Sequence, residues 1–255
     1  MEVDGELPLI LDLGTGLRAL GETLERPLRQ SGLPLAANAL LTHLHYDHIL
    51  GLPFFSPLRV PGAVLHVYGP TQQDGTLKEV LSGAVQPPFF PVNMADFRGD
   101  LHFHDLDGTG ELSFGAIQVK VRSIDHRGHT LGFRVEADGR SMAYLPDHQA
   151  PLDRRTVETP VLELCESADL VIHDAQYTDE EFVTMSDWGH STVAYAVQVA
   201  AEAGAKRLAL FHHDPTHSDR EVERMLTRAR SLAAQQGLRD VTAAAEGSTV
   251  DLKLR

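Results

Sequence analysis

Apolar and polar positions alternate along this chain in two periods, and the switch between them marks the elements. LPLILDLG (7–14) is a short apolar run closed by glycine, which predicts a strand. TGLRALGETLERPLRQSG (15–32) then carries its apolar residues at helical spacing and stops at Gly32. ANALLTH (37–43) and AVLHVYG (63–69) predict further strands, and QDGTLKEVLSG (73–83) a short helix. QPPFFPVNM (86–94) is a proline-rich loop that displays two phenylalanines. AIQVKVRSI, TLGFRVEA and SMAYLPD, between 116 and 147, are closely spaced strands, with an Asp138-Gly139 turn signal in their midst.

Beyond residue 150 the pattern becomes helix and strand in turn. TVETPVLELCESA (156–168), STVAYAVQVAAEAGA (191–205) and SDREVERMLTRARSLAAQQG (218–237) have helical spacing, the second capped by Ser191 or Thr192. Between them DLVIHDA and KRLALFHHD read as strands, and VTAAAEG with STVDLKL (248–254) is expected to close the chain as strands. TDEE (178–181) and SDRE (218–221) fit the capping box. No repeat or flexible linker interrupts 1–255, so one domain is expected. Two mixed sheets packed together, with helices on both outer faces, absorb the pattern: an α/β, four-layer αββα sandwich.

The bulk properties narrow the chemistry. Of 255 residues, 42% are hydrophobic and 23% charged, ample for a packed core. The formal net charge of −14 and the scattered arginines give no basic patch, so a long nucleic acid is not the expected partner. The single cysteine, Cys165, lies in a helical pattern and fits a reducing compartment. No apolar run approaches the roughly 18 residues of a membrane span, and MEVDGELPLI lacks a basic leader. A cytoplasmic location is the expectation.

Several of the fourteen histidines sit where strands run out. His43 ends ANALLTH, His126 follows VKVRSI, His173 ends DLVIH, His212 ends RLALFH, and Asp147 ends SMAYLPD. Strand ends on one rim are where α/β sites assemble. In HLHYDH (43–48), His43 and His45 are two apart and share a side of an extended segment, while Asp47 and His48 follow as the chain turns. Imidazole and carboxylate suit zinc and related first-row ions.

HLHYDH resembles the HxHxDH signature of the metallo-β-lactamase superfamily, and later segments match its phosphodiesterase branch, which includes ribonuclease Z, in order. DHRGHTLGF has a histidine six positions before the glycine of a Gly-aromatic pair, which His126 and Gly132 satisfy and His129 does not. AYLPD resembles the motif of the bridging aspartate, ADLVIHDAQY the segment of an acidic residue, WGHST the HST motif, and LALFHHDP the last ligand motif. The resemblance implies two divalent ions, zinc first, with manganese and iron tolerated. His43, His45 and His126 would hold one, Asp47, His48 and His212 the other, and Asp147 would bridge. A hydroxide between the ions would attack phosphorus. His190 would act as general acid with Asp174 orienting it, and Asp47 counts among the catalytic groups as well. His173 and His129 are expected behind the ligands.

The chain also departs from that pattern. A GTRGS-like turn and a GGNT-like segment are not found ahead of the first strand, so the family's N-terminal strand region is expected to be missing. Nor is there a long glycine/proline-rich arm. With the acidic charge, this favours hydrolysis of a small phosphodiester, possibly a cyclic nucleotide, over ribonuclease Z-like RNA processing. A thioester, lactone or β-lactam hydrolase on the same fold competes with that reading, as does a non-catalytic nucleotide-sensing domain. The family also allows a homodimer.

Overall fold

The first strand, β1 (Leu9–Leu11), follows a short turn, and the chain then enters α1 (Gly16–Ser31). The computed structural model describes residues 1–252 and divides them into two compact units, 1–108 and the rest.

In the first unit β2 (Ala36–Leu40), β3 (Val64–Pro70) and β4 (Asp100–Leu106) join β1 in a sheet ordered β1-β2-β3-β4. It is parallel throughout, with Leu9 opposite Asn38, Ala36 opposite Val64 and Val64 opposite Asp100. One face (Ile10, Ala37, Ala39, Leu65, Val67) packs with Leu17 of α1 and with Leu77 and Leu81 of the helix that follows β3, which spans Leu77–Ala84. Burying each large aliphatic side chain contributes about 1.5–3 kcal/mol. α1 comes close at Gly21, where a Cβ would sit 3.1 Å from Phe55 and Pro57.

The second unit holds a mixed sheet of seven strands. β5 (Thr109–Phe114), β6 (Ile117–Ile124), β7 (Thr130–Ala137) and β8 (Arg140–Leu145) form an antiparallel meander. β9 (Leu170–Asp174), β10 (Arg207–Phe211) and β11 (Asp240–Ala243) continue from β8 in parallel. Parallel strands need crossovers, and helices over Thr159–Cys165, Val193–Glu202 and Asp219–Gln235 supply them. Their apolar faces (Val161, Leu164, Val197, Val199, Met225, Ala229) cover Val171, Leu208, Leu210 and Val241. Thr192 is the cap residue of the middle helix, accepting from Tyr195 N at 3.1 Å, while Ser191 is turned away to bond the His148 carbonyl. The box at 178–181 closes in both directions. At 218–221 only Ser218 plays its part; the Glu221 carboxylate pairs with Arg224 instead.

The two-sheet α/β architecture is as expected, with the first sheet parallel rather than mixed. Two strands, β4 and β5, arise in segments with no strong strand pattern. The closing strand expected over 248–254 does not form over 248–252, and 253–254 lie outside the described residues. No described helix is long and apolar enough to cross a membrane.

Candidate metal centre

The histidine loop of the first unit leaves β2 and turns through a four-residue helix, α2 (Tyr46–Ile49). A residue not singled out in the sequence, Asp12, organises it. Asp12 follows β1, is 7% exposed, and takes a left-handed backbone with φ 58°. Its Oδ1 accepts from Thr42 N at 2.7 Å, and the Thr42 hydroxyl lies 3.0 and 3.1 Å from its two oxygens. Its Oδ2 lies 2.8 Å from His48 Nδ1, and Thr42 Oγ1 lies 3.0 Å from His43 Nδ1. These contacts assign one proton arrangement. His48 Nδ1–H donates to Asp12, His43 Nδ1–H donates to the Thr42 oxygen, and that hydroxyl donates to Asp12. Both imidazoles then carry their lone pair on Nε2. A single buried carboxylate thus sets two tautomers, as an outer partner of a metal site does.

The ring geometry shows what those lone pairs face. His43 Nε2 and His45 Nδ1 are 2.9 Å apart, yet the ring centroids are only 4.4 Å apart. Two imidazoles joined in line by one N–H···N bond have centroids about 5 Å apart. The shorter separation shows that the line between the two nitrogens runs off the ring axes, so they meet side by side rather than in line. His148 and His173 show the contrast, with 3.0 Å between nitrogens and 5.1 Å between centroids, and so do His66 and His104, with 3.1 and 5.3 Å. In those two pairs the nitrogens meet more nearly in line. A second close approach in the loop joins His48 Nε2 to Asp47 Oδ2 at 3.1 Å, with Asp47 largely exposed and His48 buried. The loop is held to the segment after β1 by Leu13 N–His48 O and Gly51 N–Leu13 O bonds, both 2.8 Å. At Gly51 an added Cβ would lie 1.8 Å from Gly14 O, so no side chain fits there.

In the second unit the rim formed by the ends of β6, β8, β9 and β10 gathers the rest. Asp147, past β8, is 1% exposed. Its Oδ2 lies 3.5 Å from His126 Nε2 and its Oδ1 lies 3.3 Å from His212 Nε2, so each oxygen faces a different imidazole. His126 Nδ1–H donates to Gly189 O at 2.5 Å, and His212 Nδ1–H to Gln176 Oε1 at 3.0 Å. Both acceptors place the ring lone pair on Nε2, on the side turned towards Asp147.

His190 is held differently. Its Nδ1 lies 2.7 Å from Asp174 Oδ2, and its ring stacks on His212 at 4.8 Å and lies 5.1 Å from His126. Asp174 is fully buried and also accepts from the backbone of His148, Gln176 and Ser191, at 3.1, 3.0 and 3.2 Å. It therefore satisfies backbone amides and orients His190 at once. Behind it, His173 Nδ1–H donates to Asp174 O at 2.7 Å and His173 Nε2 meets His148. Burial, and then neighbouring His173, hold the His148 pKa well down, and burial lowers that of His173. Gln149 braces the same segment, donating to Ala150 O and Ser186 O and accepting from Gly189 N at 2.7 Å. His129 makes a long 3.3 Å contact to Ser123 and stands just before β7. Asp12, Gln176 and Gln149 brace the candidate ligands and their segments, and none of the three was singled out in the sequence. The only cue to Asp12 was an aspartate between a strand and Gly14, which also suits an ordinary turn.

Each unit thus offers two donor pairs. The first has His43 with His45 and Asp47 with His48; the second has His126 and His212 on opposite oxygens of Asp147. Within each pair the donor atoms lie within 4.8 Å. Neutral imidazoles and carboxylates at this spacing fit divalent first-row ions.

Comparison with known proteins gives a consistent picture. A family model described as a beta-lactamase superfamily domain matches residues 9–213. A ribonuclease Z of Myxococcus xanthus is 27% identical over 282 residues, covering 92% of this chain and 87% of that protein. A ribonuclease Z of Natronomonas pharaonis is 26% identical, with 80% of each chain covered. Among solved structures, the short form of human tRNase Z superposes with a TM-score of 0.66 at 21% identity, covering 100% of this chain and 91% of that one. Zn(2+)-bound PqqB from Methylobacterium extorquens gives 0.70 at 20% identity, covering 99% and 86%.

Proposed function

The chain belongs to the metallo-β-lactamase superfamily, in its ribonuclease Z-like branch, and is a metal-dependent hydrolase of that fold; we propose that it hydrolyses phosphodiesters, with both units acting as one catalytic domain. In this reading His43, His45 and His126 hold one divalent ion, Asp47, His48 and His212 the other, and Asp147 is shared. Zinc suits these donors, as do manganese and iron. Two such ions lower the pKa of a water ligand and offset charge building on the phosphoryl oxygens.

The observation that carries the reading is His190. Its Nδ1 is committed to Asp174 at 2.7 Å, and its ring is placed against those of His212 and His126. Its Nε2 is the atom left to hand a proton to a departing alkoxide. A thioester needs no such acid, because a thiolate leaves without a proton, whereas an alkoxide leaving phosphorus does. Asp174 offsets the charge that the ring carries before it gives the proton up. Buried and fully hydrogen-bonded, Asp174 also stops the ring from turning.

Relatives named ribonuclease Z support an RNA phosphodiester as the first substrate class. This reverses the order drawn from charge, because the comparisons favour a polymer that the composition disfavours. The net charge of −14, together with the lack of a long glycine/proline-rich arm in the sequence, favours a small diester such as a cyclic nucleotide. A panel tests both: bis-p-nitrophenyl phosphate, cyclic nucleotides, an RNA with a 3′ extension and a thioester, each with zinc, manganese and iron. Phosphodiester turnover is expected, with about two ions per folded chain. Turnover of the thioester alone, or a folded protein that takes up no metal, overturns the reading.

A further inference from the structure

We propose that the first unit carries a separate binding site for a small amphipathic anion, an apolar ring or chain that ends in a carboxylate or phosphate. The site is a groove of about 450 Å³ walled by Phe55, Phe90 and Phe97, with Arg59 and Arg98 in its lining. That volume falls within the roughly 300–1,000 Å³ of small-molecule sites, which are mostly apolar with a few polar groups. None of the proposed metal ligands lines it, so it stands apart from the phosphodiesterase reading.

The two arginines are brought together by the backbone. Gly99 N donates to Leu58 O at 2.9 Å, so Arg59, one residue after Leu58, and Arg98, one before Gly99, leave neighbouring points of the chain. Gly99 makes this approach possible, since a Cβ there would press on Ala63 at 3.1 Å and Leu58 at 3.2 Å. Among the described residues, neither guanidinium has an ion-pair or hydrogen-bond partner. Asp96 also lines the groove, but its carboxylate accepts from Asn93 N at 2.8 Å. Phe90 meets the half-exposed Phe54 edge to face at 5.7 Å, which extends the apolar wall to the surface. Rings for the body and two arginines on adjoining segments of the chain for the head define the ligand: a carboxylate or phosphate matches the donors of a guanidinium, and the body packs on the phenylalanines.

The test is calorimetric titration of the metal-loaded full chain with 3-phenylpropanoate, octanoate and phenyl phosphate, and with the uncharged 3-phenylpropanol. The wild type is compared with Arg59→Gln/Arg98→Gln and with Phe90→Ala. Anionic probes are expected to bind the wild type, and the double variant to bind them at least about ten-fold more weakly, as loss of charge-assisted bonds requires. Phe90→Ala should weaken them too, and the alcohol should not bind. A preference between phenylpropanoate and octanoate identifies a ring or a chain as the body, and phenyl phosphate reads the head. Arginine-independent affinity for every anionic probe, equal binding of the alcohol, or no binding to the wild type overturns the proposal. None of these outcomes bears on whether phosphodiesters are cut.

Discussion

Replacing Asp174 with asparagine separates proton transfer from metal binding. The carboxylate takes four donors: His190 Nδ1–H and His148 N on one oxygen, Gln176 N and Ser191 N on the other. An amide offers one oxygen, so one pair of donors must meet an NH2. Turned towards Gln176 and Ser191, it strands two buried backbone N–H groups. Turned towards His190, it strands only His148 N, because the His190 ring can switch tautomer and accept. The second orientation costs less, about 1–3 kcal/mol of stability for one buried donor. It leaves His190 a neutral ring with no acidic proton to give. The kcat for a diester with an alkoxide leaving group should fall about 10²–10⁴-fold. With bis-p-nitrophenyl phosphate the loss should be far smaller, since nitrophenolate departs without a proton. His190→Ala should show the same split, and the double variant should be little worse than either single one. Metal content per chain, measured beside kcat, should stay constant. Equal losses on both substrates, or multiplying losses in the double variant, would refute the assignment of His190 as the acid.

Asp12→Ala removes the acceptor that sets the His43 and His48 tautomers, and metal affinity in chelator competition should drop about 10–100-fold; unchanged affinity sinks that role. Gly51→Ala places a methyl 1.8 Å from Gly14 O, so the loop must move and both thermal stability and metal content should fall; a wild-type melting curve would show the contact to be soft. Burial pushes the Cys165 thiol up to about 12, so the native chain should resist thiol reagents at pH 8 and react only on unfolding, because the thiolate is the reactive form. Burial lowers the pKa of His148 and His173, so below about pH 6.5 the unfolded chain binds protons that the native one refuses. Unfolding free energy should therefore decline as pH falls below that value, by up to about 1.4 kcal/mol per pH unit for each histidine. A denaturant midpoint unchanged between pH 7 and 5 would contradict this, and His148→Gln should flatten the slope.

Much of the fold was legible because core strands and crossover helices declare themselves by period. The parallel strands β9 and β10 are continuous apolar runs, and α1 and the 219–235 helix carry clear stripes. β4 and β5 escaped because they are edge strands. DLHFHDL and TGELSF put charged and polar residues on one face and only modest apolar residues on the other, as an edge that must not pair further would. The ligand candidates were legible because they are chemically rare at strand ends. Their supports were not, because Asp12, Gln149 and Gln176 are of types that surfaces and turns use freely. What ties them to the candidate site is a hydrogen bond to a partner 36 to 40 residues distant, which no local pattern encodes.

The order of the seven-stranded sheet explains why Asp147 is the residue that faces two imidazoles. With strands about 4.8 Å apart, β8 lies two strands from β6 on one side and two from β10 on the other. A carboxylate past the end of β8 is therefore midway between His126 and His212, and its two oxygens divide between them. Asp174, one strand nearer His212, has no such symmetry and turns inward to hold His190. The backbone makes the last selection. His212 takes a left-handed φ of 54°, which swings its ring to Gln176 and Asp147, while His213, one residue on, lies against the backbone of Ala244 beyond β11. Adjacent side chains at a strand end diverge, so only one of two neighbouring histidines can reach the central carboxylate. The sheet order and that single turn, more than the choice of residue, decide which one it is.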